Sequence, residues 1–325
     1  MKIVVTGGAG FIGSNFLEVA DPRLDIHCII DSRTYASDFS RVNPKHKLIR
    51  NDIRLMPWEY FLTTNKVDAI VNFAAETHVD NSIDNASEFI ESNYLGVCNI
   101  LQGLLGLSKK GLKCPLLLQV STDEVYGDME IDSCYRTSEY DTLMPNNPYA
   151  ATKAAADLMI QAWGRTHKVP YVICRAANNY GKNQHSEKLI PTIVRKALNG
   201  EPIPVYGDGK NVREWLYTKD FADGLCLVLE KYVVNPDAIV GEVFNFGAST
   251  SMQNIDLVHK ILGLLGLSKN LVEFVTDRPG HDRKYALDWG KATSVLGWEP
   301  HTPFEDGLRE TLAALRVQCD DPNKR

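Results

Sequence analysis

At 325 residues the chain has room for about two domains, and its 44% apolar and 23% charged residues exclude disordered, collagen-like and coiled-coil classes. A net charge of −6 gives no global field to draw in nucleic acid, although a few local cations can still hold an anionic small molecule. No run approaches the ~18 consecutive apolar residues that span a bilayer, so no membrane partner is expected. The first strand-like run, Lys2 to Thr6, is too short for a signal-peptide core and leads straight into glycines, which predicts a cytoplasmic protein. Cys28, Cys98, Cys114, Cys134, Cys174, Cys226 and Cys319 are odd in number and form no CxxC pair. They read as scattered reduced thiols, with neither a disulfide framework nor a metal site.

Short apolar runs alternate with helical stretches from the first residue. Lys2–Thr6, Ile26–Asp31, Lys47–Arg50, Ala69–Phe73, Leu116–Val120 and Tyr171–Arg175 read as strands. Each is continuous and not alternating, as expected of buried strands where helices cover both sheet faces. Strands joined by helical crossovers predict an α/β fold with a Rossmann-type, doubly wound parallel sheet. Asn147 suits an N-cap and Pro148 the first turn of a helix through Ala150 to Ile160. A second helix is predicted from about Glu187 to Leu198, stopping near Gly200. Beyond residue ~178 prolines recur at 191, 202 and 204, which predicts a smaller, irregular α/β C-terminal domain for substrate. The expected division is 1–177, with a return segment at about 215–247, and 178–325. The tail Asp320–Arg325 is expected to fray.

The first strand ends in Thr6-Gly-Gly-Ala-Gly-Phe-Ile-Gly13, which satisfies both GxGxxG and GxxGxxG. Such glycines permit a tight turn, close approach of backbone to a pyrophosphate and close helix–sheet packing. The helix that follows would aim its N-terminal amides at the phosphates. Asp31 closes the second strand about 20 residues on, where a carboxylate grips the adenosine ribose hydroxyls and repels a 2′-phosphate, favouring NAD over NADP. Asp52 follows the next strand and could reach the adenine amino group.

Tyr149-Ala-Ala-Thr-Lys153 puts a phenol and an ammonium four residues apart on one helix face. A nearby cation lowers a tyrosine pKa, which would make Tyr149 a general base for a sugar or alcohol hydroxyl. Ser121-Thr-Asp-Glu-Val-Tyr-Gly127 follows the fifth strand, at the carboxyl edge where such sheets place ligands. Two like charges in one pocket, Asp123 and Glu124, push one pKa upward and leave a protonated acid beside an ionised base.

Together the glycine loop, Asp31, Thr122-Asp123-Glu124 and Tyr149/Lys153 resemble the extended short-chain dehydrogenase/reductases, and within them the nucleotide-sugar 4,6-dehydratases. The likeness continues through Ala74–Asp80, Asn178–Gly181, Glu187–Pro191, Asn211–Tyr217 and Arg278–Arg283, and so covers nearly the whole chain. It implies a dTDP- or UDP-glucose substrate whose C4 hydroxyl proton goes to Tyr149, supported by Lys153, as its hydride goes to NAD. Glu124 would then take the C5 proton while Asp123 protonates the departing 6-hydroxyl and Thr122 orients O4. Hydride return to C6 completes a 4-keto-6-deoxy sugar. A 4-epimerase would use the same cofactor and Tyr/Lys pair without the acid pair.

For the cofactor the resemblance implies Gly7, Gly10, Phe11 and Ile12 at the loop, with Asp31, Asp52 and Ile53 at the adenosine end. Phe73, Ala74, Ala75 and Thr77 would follow the fourth strand, and Ser121 and Asn178 would join Tyr149 and Lys153 near the nicotinamide. Asn179, Glu187, Lys188 and Leu189 would line sugar and diphosphate, with Arg213 on the phosphates. Arg278, His281, Tyr285 and Asn254 would lie near phosphate and nucleoside, and His78 would have a positioning role. No metal is expected. The resemblance also implies a homodimer through a bundle of two helices per subunit, around Glu88–Gly106 and Tyr149–Gly164. Three positions depart from the family's usual residue: Ser32 stands for lysine, Thr77 for serine and Glu214 for aspartate.

Overall fold

The computed structural model describes residues 1–20 and 22–320, the side chains of 318–320 excepted, so the tail from 321 lies outside the described residues. β1 (Lys2–Thr6) leads into α1 (Phe11–Ala20), β2 (Asp25–Asp31), β3 (Leu48–Arg50), α2 (Trp58–Asn65) and β4 (Ala69–Asn72). The short helices α3 (Val79–Asp84) and α4 (Ala86–Phe89) run through a wide π-type turn, Ile90–Leu95, into α5 (Gly96–Lys109). β5 (Leu116–Thr122) ends in a 3₁₀ turn at Asp123–Tyr126, and α6 (Pro148–His167) and β6 (Tyr171–Ala176) follow. Next come β7 (Asn178–Tyr180), α7 (Leu189–Leu198), β8 (Ile203–Tyr206), β9 (Val212–Tyr217) and α8 (Thr218–Val234). The chain continues with β10 (Glu242–Phe246), β11 (Ser251–Gln253), α9 (Asn254–Leu265), β12 (Val272–Val275), α10 (Gly290–Leu296) and α11 (Phe304–Asp320).

Seven strands form one sheet in the order β10-β6-β5-β4-β1-β2-β3, and every pairing in it is parallel. The continuous apolar runs now have their physical reason. Ile3 and Val5 point into one core with Phe16 and Leu17 of α1 and Phe221 and Leu225 of α8. Val4, between them, points into the opposite core with Trp58, Leu101 and Ile160. A third core joins α7, α9 and α11 around Ile190, Leu257 and Leu308, beside the small sheets β11-β9-β7 and β12-β8.

Each of the six strands read from the sequence is present, and β10 adds a seventh at one edge. The helix expected from Glu187 starts at Leu189, because Lys188 is extended (φ −75°, ψ 156°) and sits at the cap. That late start leaves Glu187 and Lys188 free to reach the site. The wide turn at Ile90–Leu95 places Asn93 inward, where its amide bridges the main chain of Glu76 and donates to Thr152 Oγ1 at 3.0 Å. No helix among the described residues is long and apolar enough to cross a membrane.

Candidate active site

Parallel strands point all their carboxyl ends one way, and the loops leaving them meet in a cleft of about 600 Å³. It starts at the order reversal between β1 and β4, where doubly wound sheets bind ligands. Gly7 takes φ +66°, and a Cβ on it would stand 2.7 Å from the Ala74 nitrogen. A Cβ on Gly13 would stand 2.4 Å from the Gly7 oxygen. The loop therefore has no room for side chains, and it leaves a backbone cradle at the start of α1 shaped for a pyrophosphate. Asp31 is buried, accepting from Ala9 N at 3.0 Å and from Arg33 N at 2.9 Å, at the ribose end. Asp52 lines the same end, gripped by Arg54 at 2.7 Å.

All the residues expected at the cofactor line this cleft. Gly7, Gly10, Phe11, Ile12, Asp31, Asp52 and Ile53 lie at one end, and Phe73, Ala74, Ala75 and Thr77 follow β4. Ser121, Tyr149, Lys153 and Asn178 close the other end. Asn178 brings a buried Oδ1 with no partner within the protein. Cradle, ribose carboxylate and this orphaned acceptor fit a dinucleotide.

Thr122, Asp123 and Glu124 leave the end of β5 together and line the cleft beside Tyr149. Asp123 is 2% exposed, and one of its oxygens, Oδ2, has no partner. Burial first and the Glu124 charge second hold its carboxyl well above the usual range, which favours the acid form over the carboxylate. The partly buried Glu124 accepts from Asn147 Nδ2 at 3.2 Å. Asn147 also caps α6, accepting from Ala150 N at 2.8 Å, so one side chain sets both the helix that carries Tyr149 and the carboxylate facing it.

Tyr149 and Lys153 are both buried on α6, but their electrostatics differ from expectation. Burial, then the Glu124 charge, pushes the phenol up, while a hydrogen bond with Thr122 pulls the other way. Lys153 donates to the Val120 carbonyl at 2.7 Å, and burial brings it down to about 8 against the pull of Asp157. Within the protein alone, then, burial and the neighbouring carboxylates together hold the phenol in its protonated form.

The substrate set divides. Asn179, Glu187 and Lys188 line the cleft, and Lys188 Nζ donates to Thr77 O at 2.7 Å. Arg213 lies outside the lining but beside the acid pair: it donates to Asp282 O at 2.8 Å, stacks 4.4 Å over Tyr285 and acts electrostatically on Asp123. Tyr285 donates to the Asp282 carboxylate and feels the Glu124 charge. Arg278 pairs with Asp80 at 3.1 Å, His281 with Asp277 at 2.6 Å, and Asn254 heads α9 with its buried Oδ1 unpartnered. Leu189 begins α7 and packs on the third core, and His78 caps α3 by accepting from Asn81 N at 3.3 Å.

Some site residues escaped the sequence reading. Glu76 lines the cleft, and burial with the charges of Glu88 and Glu187 raises its carboxyl to about 7. Its signal was the one used for Asp123: an acid just beyond the end of a buried strand. Tyr35 donates to Glu187 at 3.1 Å and meets His185 edge-on at 5.2 Å, joining loops 150 residues apart in a way no local pattern shows. Of the three departures, Ser32 and Thr77 line the cleft, whereas Glu214 is buried and bonded to Arg136 and Leu287 N.

Known proteins share this arrangement. Residues 4–311 match the family model described as GDP-mannose 4,6 dehydratase. The Low-salt glycan biosynthesis protein Agl12 of Haloferax volcanii is 43% identical over 314 residues, 95% of this chain and 96% of that protein. The dTDP-glucose 4,6-dehydratase of Haemophilus influenzae is 37% identical over 96% of this chain and 97% of its own. Among solved structures, DesIV, a dTDP-glucose 4,6-dehydratase from Streptomyces venezuelae with NAD bound, superposes with a TM-score of 0.88 at 39% identity, covering 98% and 97% of the two chains. With the sheet order, the glycine cradle and the match over residues 4–311 in agreement, the chain belongs to the GDP-mannose 4,6 dehydratase family.

Proposed function

We propose that this chain is an NAD-dependent NDP-glucose 4,6-dehydratase, a hydro-lyase that takes dTDP-glucose, with UDP-glucose as the alternative, to its 4-keto-6-deoxy sugar. The observation that carries this reading is the buried Asp123, its Oδ2 unpartnered and its carboxyl pushed above the usual range, next to Glu124, because eliminating water needs an acid and a base together. A 4-epimerase has no use for that pair.

Gly7, Gly10, Phe11 and Ile12 would hold the NAD pyrophosphate, Asp31 the adenosine ribose, and Lys153, Ser121 and Asn178 the nicotinamide half. Bound NAD supplies a hydride acceptor for C4, a donor for C6 and a positive charge beside Tyr149. Tyr149 takes the proton of the 4-hydroxyl, with Thr122 fixing O4. Glu124 removes the proton on C5, made acidic by the C4 ketone, and returns one to the same carbon. Asp123 protonates the 6-hydroxyl, which leaves as water. The proton gained by Tyr149 balances the one that Asp123 gives, so the net change is loss of one water.

Residues 1–177 with α8 and β10 from the return segment at 215–247 would form the NAD-binding unit, and 178–325 the sugar-nucleotide unit. Asn179, Glu187, Lys188 and Leu189 would face sugar and diphosphate, and Arg213, Arg278, His281, Tyr285 and Asn254 the phosphates and nucleoside. The protein is read as a cytoplasmic homodimer. Pairing is supported by Ile90 (46% exposed), Leu95 (49%) and Leu158 (55%), apolar residues on the helices expected to pair. Incubation with dTDP-glucose and UDP-glucose in competition should give a product one water lighter. Unchanged substrate in the presence of bound NAD would refute the activity, and a monomeric mass in solution would refute the dimer.

A further inference from the structure

One buried ion pair lies outside the proposed chemistry yet touches its supports. Asp157 sits on α6 one turn beyond Lys153 and is 0% exposed, and Arg175 on β6 is 2% exposed. Arg175 Nε meets Asp157 Oδ2 at 2.9 Å, and the same oxygen accepts from Ser121 Oγ at 3.0 Å. Asp157 Oδ1 has no partner. Arg175 in turn donates to the Tyr126 hydroxyl at 2.8 Å, and Tyr126 donates to Asn245 Oδ1 at 2.8 Å. A buried pair of this kind is poor evidence for stability, because desolvation offsets the attraction and apolar replacements are often as stable. Its placement suits another role. Ser121 lies between Val120, whose carbonyl holds Lys153, and Thr122, which opens the acid turn.

We propose that Asp157 is a positioning residue for the dehydratase reaction: anchored by Arg175, its carboxylate orients Ser121 and supplies the counter-charge that keeps Lys153 an ammonium beside the Val120 carbonyl. The inference rests on the activity proposed above, since it assigns the support of that same Tyr149/Lys153 pair. Asp157 is the one group whose charge offsets the burial of Lys153, which leaves the ammonium at about 8. The other ionisable groups on elements packed around Lys153 are Tyr149, Arg165 and His167 on α6, Tyr171, Cys174 and Arg175 on β6, and Asp123, Glu124 and Tyr126 after β5. Asp80, Asp84, Glu88, Glu91, Tyr94, Cys98 and Lys109 lie on the helical stretch that packs against α6. Without Asp157 the desolvation acts alone, and Lys153 loses its proton at lower pH than it does beside the carboxylate.

The test is the double variant Asp157→Asn/Arg175→Met, which removes both charges, beside Arg175→Lys, which keeps them. In protein labelled with 13C at the lysine ε-carbons, with the Lys153 resonance assigned through Lys153→Met, the resonance should titrate about one pH unit lower in the double variant. It should stay in place in Arg175→Lys. The alkaline limb of kcat should move down by the same amount. A Lys153 midpoint unchanged in the double variant overturns the proposal, whatever happens to the melting temperature. If the double variant fails to fold, Asp157→Asn is read in the same way, with the same two outcomes. The titration needs no turnover, so a chain that proved inactive on both nucleotide sugars would refute the activity and leave this measurement intact.

Discussion

Gly13→Ala isolates the claim that backbone closeness, and not side-chain chemistry, builds the dinucleotide cradle. The added Cβ would lie 2.4 Å from Gly7 O, 2.9 Å from Gly8 Cα and 3.1 Å from Gly7 C. All three are main-chain atoms, so no rotamer change relieves the clash. Ordinary contact starts near 3.4 Å, so the first turn of α1 must retreat by about 1 Å, at the 1–3 kcal/mol typical of overpacking. The same shift draws the α1 amides away from the pyrophosphate. Losing one charge-assisted hydrogen bond is worth about 1.5–3 kcal/mol, or roughly a 10- to 100-fold rise in the NAD dissociation constant. Calorimetric titration of NAD into stripped protein reads the second quantity, and a thermal melt reads the first. The control is Gly263→Ala on the exposed side of α9, where a Cβ meets nothing within 4 Å. There alanine should stabilise by about 0.5–1 kcal/mol through helix propensity. A Gly13→Ala protein that binds NAD with unchanged affinity would refute the cradle argument.

Asp123→Asn keeps the shape of the acid but has no proton to deliver, so water loss should fall by about 10²–10⁴-fold. C4 oxidation, followed by absorbance of the reduced nicotinamide in a single turnover, should persist, and its loss would show that Asp123 acts earlier. The carboxyl of Glu76, raised to about 7 in the fold from an ordinary 4.5, adds stability that is present below about pH 4.5 and lost as pH rises through 7. Glu76→Gln should therefore unfold at higher urea than the parent at pH 8, by about 2 kcal/mol, with the gap closing at pH 4.5. Equal gaps at both pH values would sink that reading. Asn147→Ala should destabilise by about 1 kcal/mol as the α6 cap is lost. Because Glu124 loses its partner too, kcat should fall even where the protein is fully folded; an unchanged kcat would confine Asn147 to capping.

Much of the fold was legible because its signals are local. A continuous, non-alternating run of four to six residues, bounded by turn residues, fits best in a sheet covered on both faces. Six such runs named six of the seven parallel strands. The glycine spacing after the first and the acid closing the second are read within about 25 residues of one another, and the tyrosine and lysine within a single helical turn. Asn147 and Pro148 marked the start of α6 because capping depends on the first few residues alone. These local patterns suffice for the class of chemistry.

What tertiary structure decided is everything that depends on charge and burial at long sequence separation. Spacing alone suggested that Lys153 would acidify Tyr149. The folded chain instead turns Lys153 to Val120 and buries the phenol within the field of Glu124, so burial and carboxylates dominate. The sequence could mark Asp123 as half of an acid pair, but its 2% exposure is the largest cause that pushes its carboxyl upward. The contacts of Asn147 with Glu124, Tyr35 with Glu187, and Asp157 with both Ser121 and Arg175 cross from one element to another. A one-dimensional pattern carries no distance between such elements, whereas the parallel sheet sets it by delivering every loop to the same edge.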